Sequence, residues 1–132
     1  MRRITFVTDG LSDKSLIDAL REHRFDVRIE TASSVTNGRL AAADLLIFDI
    51  VDASEAIKLL RKVRLSHPPA SAPVMVIAEW GTGQVTLALS QGADAFERKP
   101  IDAQRLLVAI KSLLRPHMAM TAKASALTGD EE

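Results

Sequence analysis

Apolar and polar positions follow three rhythms along this chain, and each predicts one kind of element. Two near-continuous apolar runs, Asp44-Leu-Leu-Ile-Phe-Asp-Ile50 and Pro73-Val-Met-Val-Ile-Ala78, predict strands covered on both faces, as in a parallel sheet packed between helices. Arg3-Ile-Thr-Phe-Val-Thr8 carries β-branched and aromatic residues and stops at the turn signal Asp9-Gly10, which predicts the first strand. Asp26-Val-Arg-Ile-Glu30 alternates polar with apolar residues and predicts a half-exposed edge strand. Ala95-Phe-Glu-Arg-Lys99, closed by Pro100, predicts the last.

Between the strands the apolar period lengthens to that of a helix. Leu16, Ile17 and Leu20 form one stripe behind a cap at Ser12 or Asp13, with Lys14, Arg21 and Glu22 facing water and the helix fading near His23. Asn37-Gly38 breaks the chain before a short helix over residues 40–43. Ser54 and Glu55 suit the first turn of a longer helix, with Ile57, Leu60 and either Val63 or Arg64 inward. Lys58, Arg61 and Lys62 face outward, and Pro68-Pro69 stops that helix. Gly81-Thr-Gly83 reads as a flexible loop, since it lacks the glycine spacing and the Lys-Ser/Thr of a phosphate loop. A short helix over residues 84–91 then offers Val85, Ala88 and Leu89 to the core and closes on Gly92. Asp102 caps a final helix with the stripe Leu106, Leu107, Ile110, Leu113 and Leu114.

Five strands alternating with five helices predict an α/β fold, a doubly wound five-stranded parallel sheet with helices on both faces and right-handed crossovers. The flavodoxin-like strand order 2-1-3-4-5 is the expected arrangement. Residues 1–116 make this one domain. Residues 117–132, poor in groups to bury, read as a disordered tail or linker.

Composition narrows the function. The 132 residues are 47% hydrophobic, enough for one core. Seventeen basic and seventeen acidic residues cancel, so no broad positive field points to nucleic acid. There is no cysteine, and His23, His67 and His117 match no metal-ligand spacing. No apolar run reaches the roughly 20 residues of a membrane helix, so no membrane partner and a cytoplasmic location are expected.

Three residues carry candidate chemistry. Asp9 follows the first strand, Asp49 ends the third and Lys99 ends the fifth, so all three share the carboxyl edge of the sheet, where such folds bind ligands. Strand neighbours lie about 4.8 Å apart, which brings Asp9 and Asp49 within reach of one cation. Lys99 stands roughly 10 Å away, a gap its stem and a bound anion can close. A plain turn-capping role for Asp49 and a solvated strand-end lysine are the structural alternatives. Glu79 and Trp80 are open between a partner surface and loop packing.

With these motifs in order, residues 3–115 resemble a bacterial response-regulator receiver domain of the CheY-like kind. Phe-Val-Thr8-Asp9 is similar to its acidic-pair strand, Leu-Ile-Phe-Asp49 to its phosphoacceptor strand, and Pro73-Val-Met-Val-Ile-Ala78 to its hydroxyl-bearing fourth strand. Gly92-Ala-Asp-Ala-Phe96 followed by Lys99-Pro100 matches its switch segment. The resemblance implies that Asp49 accepts a phosphoryl group from a histidine kinase or phosphotransfer protein and that Lys99 holds that group. It implies magnesium held by Asp9, Asp49 and the backbone carbonyl of Val51, with Thr8 as a further, neutral donor. Phe96 becomes the switch aromatic, and the last two helices with the fifth strand become the surface for a downstream partner, an output domain or a second copy. The domain would be no enzyme beyond its own aspartyl phosphorylation and dephosphorylation.

Two positions depart from the pattern. Thr8 replaces the first acidic residue, which implies weak magnesium binding, with Asp52 as a candidate to compensate. Ala78 replaces the family's Ser or Thr, which implies weak coupling to Phe96. This is the pattern of an atypical receiver, and a phosphorylation-independent pseudo-receiver acting as a protein-interaction module is the alternative. A flavodoxin-like binder of a phosphorylated ligand at Thr8-Asp9-Gly10-Leu-Ser12 is a third reading. Asp9 opposes it, because a carboxylate there repels phosphate unless a cation intervenes.

Overall fold

Side-chain alternation along the strands sorts the apolar residues into two cores, one on each side of a sheet. The computed structural model describes residues 2–9, 14–33, 43–66 and 72–114. Within them the chain runs β1 (Arg3–Thr8), α1 (Lys14–Glu22), β2 (Asp26–Thr31), β3 (Leu45–Asp49), α2 (Ala53–Ser66), β4 (Val74–Ala78), α3 (Thr82–Ser90), β5 (Ala95–Arg98) and α4 (Ala103–Leu113). All strand pairs are parallel, as the alternation of elements predicted, and the order is β2-β1-β3-β4-β5, the expected flavodoxin-like one. Expected features at Ser12 or Asp13, Asn37-Gly38, Pro68-Pro69 and the 117–132 tail lie outside the described residues. So does the 40–43 helix apart from Ala43, which is not helical.

On one face Ile4 and Phe6 of β1, Leu45 and Ile47 of β3, and Met75 and Ile77 of β4 meet α1 (Leu16, Ile17, Leu20) and α4 (Leu106, Leu107, Ile110). On the other, Val7, Leu46, Phe48, Val74 and Val76 meet α2 (Ala56, Leu59, Leu60, Val63) and Ala88 of α3. Because β3 and β4 are buried at every position, slipping either strand by one residue would exchange its two apolar sets between cores of different shape. β2 lies at the edge, with Val27 buried and Ile29 exposed. Among the described residues no helix is long and apolar enough to cross a membrane.

Two local expectations are corrected. Residues 81–83 do not form a flexible loop before a helix at Gln84. The helix starts at Thr82, because the Gln84 side chain turns back and accepts a hydrogen bond from the Gly81 backbone N–H at 2.9 Å, satisfying a donor that a helix start otherwise strands. Leu89 does not enter the core. It is 44% exposed beside Leu87, while Ala88 is buried. α3 mixes apolar residues with Thr82, Gln84, Thr86 and Ser90 around its circumference, so its sequence marks no single face and packing sets its rotation.

One buried polar atom gives a stability test. Thr5 is fully buried, and its hydroxyl has no hydrogen-bond partner among the described residues. An unsatisfied buried hydroxyl costs about 1 to 3 kcal/mol. Thr5→Val, nearly the same shape without that oxygen, is expected to raise the melting temperature by about 4 °C, the equivalent of about 1 kcal/mol. A fall in thermal denaturation would mean the hydroxyl is bonded.

Candidate functional site

The carboxyl edge collects the chemistry because β1 and β3 end level with each other, Thr8 lying opposite Asp49 in the register. Both are buried, Asp49 to 1% exposure, whereas Asp9, one residue beyond the strand, is exposed. Asp9 Oδ2 accepts a hydrogen bond from the Val51 backbone N–H at 2.9 Å, so one carboxylate folds the loop after β3 across the end of β1. Asp52 Oδ1 accepts from the backbone N–H groups of Ser54 at 3.0 Å and Glu55 at 3.4 Å. Asp52 is therefore tied to the start of α2, which weakens it as a substitute for a carboxylate at Thr8.

Lys99 comes from the far side of the sheet. Its backbone N–H donates to the Ala78 carbonyl at 2.9 Å, anchoring the end of β5 beside the end of β4. The peptide bond to Pro100 is cis. From there the lysine stem passes the end of β4, and Nζ sits 2.6 Å from Asp49 Oδ1. The stem spans by itself the gap that was expected to be closed by the stem and a bound anion together. A cleft of about 300 Å³ opens beside the pair, lined by Ile50, Val51, Ala78, Glu79, Trp80 and Lys99. Of the two readings left open for Trp80, loop packing is observed. The side chain is buried and its indole N–H donates to the Val51 carbonyl at 3.0 Å.

Phe96 is half-buried on β5. Its ring centroid lies 5.8 Å from that of Trp80, and the Arg98 guanidinium carbon stands 5.7 Å above it. Arg98 also donates to the Trp80 carbonyl. Neither contact is apparent from the sequence, since β5 is joined to Trp80 only through the fold.

The hard oxygen donors that the ends of β1 and β3 supply are the carboxylates of Asp9 and Asp49 and the Val51 carbonyl. They are hard ligands, and two carboxylates match the one or two that magnesium uses while it keeps most of its water. The chemistry of these donors fits a water-rich magnesium site. They do not fit a protein cage, because the described residues contain no cluster of three or more His, Cys, Asp or Glu placed to hold a metal.

These features define a class, a doubly wound α/β domain with a lysine-paired aspartate at its carboxyl edge. Comparison with known proteins makes it more particular. No family model matches the chain. Over 121 residues it is 29% identical to the hybrid signal transduction histidine kinase M of Dictyostelium discoideum, the match covering 84% of this chain and 5% of that protein's length. A solved receiver domain protein (CheY-like) from Methanospirillum hungatei JF-1 is 25% identical with a TM-score of 0.75, over 91% of this chain and 98% of that one. NtrX from Brucella abortus, 23% identical, has the same fold with a TM-score of 0.76, over 96% of this chain and 29% of its own. The fold is that of a response-regulator receiver domain of two-component signalling.

Proposed function

We propose that this chain is a phosphoacceptor receiver in which Asp49 takes the phosphoryl group. The observation that carries the reading is the Lys99 ammonium held 2.6 Å from Asp49 Oδ1 beside an open cleft. A cation at that point can neutralise both the attacking carboxylate and the oxygens of an incoming phosphoryl group, whose mutual repulsion is the main obstacle to the reaction. The similarity to a hybrid histidine kinase supports a phosphohistidine donor, on a kinase or a phosphotransfer protein. An Asp49 oxygen forms the new bond to phosphorus as the bond from phosphorus to the imidazole nitrogen breaks. The imidazole leaves with the electron pair and takes a proton.

Magnesium, when bound, would screen the negative charge on the phosphoryl oxygens. Asp9, Asp49 and the Val51 carbonyl would hold it. Asp9 also orders the loop that presents that carbonyl, through its bond to the Val51 N–H. Lys99 holds the Asp49 carboxylate in place until transfer. The surface formed by α3, β5 and α4, with Leu87, Leu89 and Val108 exposed on it, is the face for a downstream partner, an output domain or a second copy of the chain.

Incubation with acetyl phosphate and magnesium chloride, followed by intact-mass measurement, tests this. The protein should gain one phosphoryl mass, and Asp49→Asn should not. A specific observation favours the second reading, a pseudo-receiver that binds partners without phosphorylation: Thr8 supplies no charge and the nearby Asp52 caps α2. Absence of any mass gain in the wild type would select it.

Hard-cation affinity follows ligand charge, so Thr8→Asp is expected to bind magnesium several-fold more tightly by calorimetry. Equal affinity of the two proteins would show that the missing carboxylate is made up elsewhere.

A further inference from the structure

We infer that Trp80 and a bound cation compete for the Val51 carbonyl, so that loading the site releases the indole and moves Phe96. This rests on the proposed magnesium site and supplies the regulation that Ala78 cannot. A hydroxyl at position 78 would link the phosphoryl group to the aromatic on β5, but Ala78 has none. Two residues later, Trp80 makes a different link between the same two places.

The link is closed at both ends. Toward the site, the Trp80 indole N–H donates to the Val51 carbonyl at 3.0 Å, from a side chain only 4% exposed. Toward the output face, its ring packs against Phe96 with centroids 5.8 Å apart and planes inclined by 32°. Arg98 completes the loop, its guanidinium over the Phe96 ring and its N–H on the Trp80 carbonyl. Val51, Trp80, Phe96 and Arg98 are therefore joined by consecutive contacts, and Val51 and Trp80 line the cleft.

Competition follows from charge. The indole hydrogen carries partial positive charge and points at the Val51 oxygen. A divalent cation on the same oxygen repels that hydrogen and withdraws the electron density it is bonded to. In a buried setting this repulsion is poorly screened. Freed from Val51, the indole keeps its ring contact, so its displacement passes to Phe96 and Arg98.

The chain has one tryptophan, so its fluorescence reports Trp80 alone. The test compares wild type with Trp80→Phe, which keeps an aromatic ring against Phe96 and removes only the N–H donor. On titration with magnesium chloride, calorimetry should give Trp80→Phe about five-fold tighter binding, the factor represented by one net hydrogen bond. In the wild type, magnesium should shift the tryptophan emission, the indole N–H signal and the amide signals of Phe96 and Arg98. In the variant the Phe96 and Arg98 amides should stay still. If wild type binds magnesium and Trp80→Phe binds equally or more weakly, the indole is packing or supports the carbonyl, and the inference is wrong while the metal site stands. If neither binds magnesium, the metal reading falls and takes this inference with it.

Discussion

Lys99→Met is expected to destabilise the domain by about 3 kcal/mol, lowering the melting temperature by roughly 10 °C. The Asp49 side chain is 2% exposed and Lys99 28%, with 2.6 Å between the charged atoms. Removing the lysine keeps its apolar stem but leaves a buried carboxylate without its cation. That loss typically costs about 3 to 5 kcal/mol, and the partial exposure of Lys99 places this pair toward the lower end. Asp49→Asn in the Lys99→Met background removes the stranded charge and should restore most of the loss. Urea denaturation of the four proteins of the cycle measures it. A cost below about 1 kcal/mol for Lys99→Met would put the pair among solvent-screened surface bridges and would undercut Lys99 as a stabilising counter-charge to Asp49.

Arg64→Ala is expected to cost about 3 kcal/mol, through a knot that fastens α2 to the turn before β5. The guanidinium donates to the Gly92 carbonyl from Nε at 3.1 Å and from Nη2 at 2.7 Å, to the Ala72 carbonyl at 3.1 Å, and to Asp94 Oδ2 at 2.7 Å. The same carboxylate oxygen accepts from the Val74 N–H at 2.8 Å, so it also fixes the start of β4. Hydrogen bonds involving charged groups contribute about 1.5 to 3 kcal/mol each before non-additivity. The partial exposure of Arg64 and Asp94 holds the total near the figure given. Arg64→Lys should recover less than half, since an ammonium cannot reproduce the planar fork. Gly92 belongs to the same knot. Its φ is +123°, and a Cβ there would lie 2.9 Å from Arg64 Cγ, so Gly92→Ala should be severe alone and milder once Arg64 is alanine. Additive losses in thermal melts of the double variant would show that the two residues are independent.

Much of the fold was legible because short-range periodicity reflects burial directly. The continuous runs in β3 and β4 could only be strands covered on both faces, and the alternating stretch from Asp26 became the edge. The stripes of α1 and α4 put Leu16, Ile17, Leu20, Leu106, Leu107 and Ile110 where they are buried. From that order of elements a doubly wound parallel sheet follows, and its carboxyl edge collects Asp9, Asp49 and Lys99; the order 2-1-3-4-5 was the flavodoxin-like expectation.

Other features depended on contacts between distant segments. Arg64 read as an alternative to Val63 on the inner face of a helix, but its partners Gly92 and Asp94 lie 28 and 30 residues away. Trp80 was open between two roles until the fold set its indole against a carbonyl 29 residues earlier. Val85, Ala88 and Leu89 were all expected inward, yet the apolar residues of α3 gather on no single face, and packing buried Ala88 while leaving Leu89 exposed. The sequence by itself determined which residues alternate, which are apolar and where turns fall, because these depend on neighbours a few positions apart. Only the tertiary structure decided that Lys99 touches Asp49 directly and that Val51 is held by Trp80. Side-chain reach and hydrogen-bond direction depend on the placement of whole strands, which no local pattern encodes.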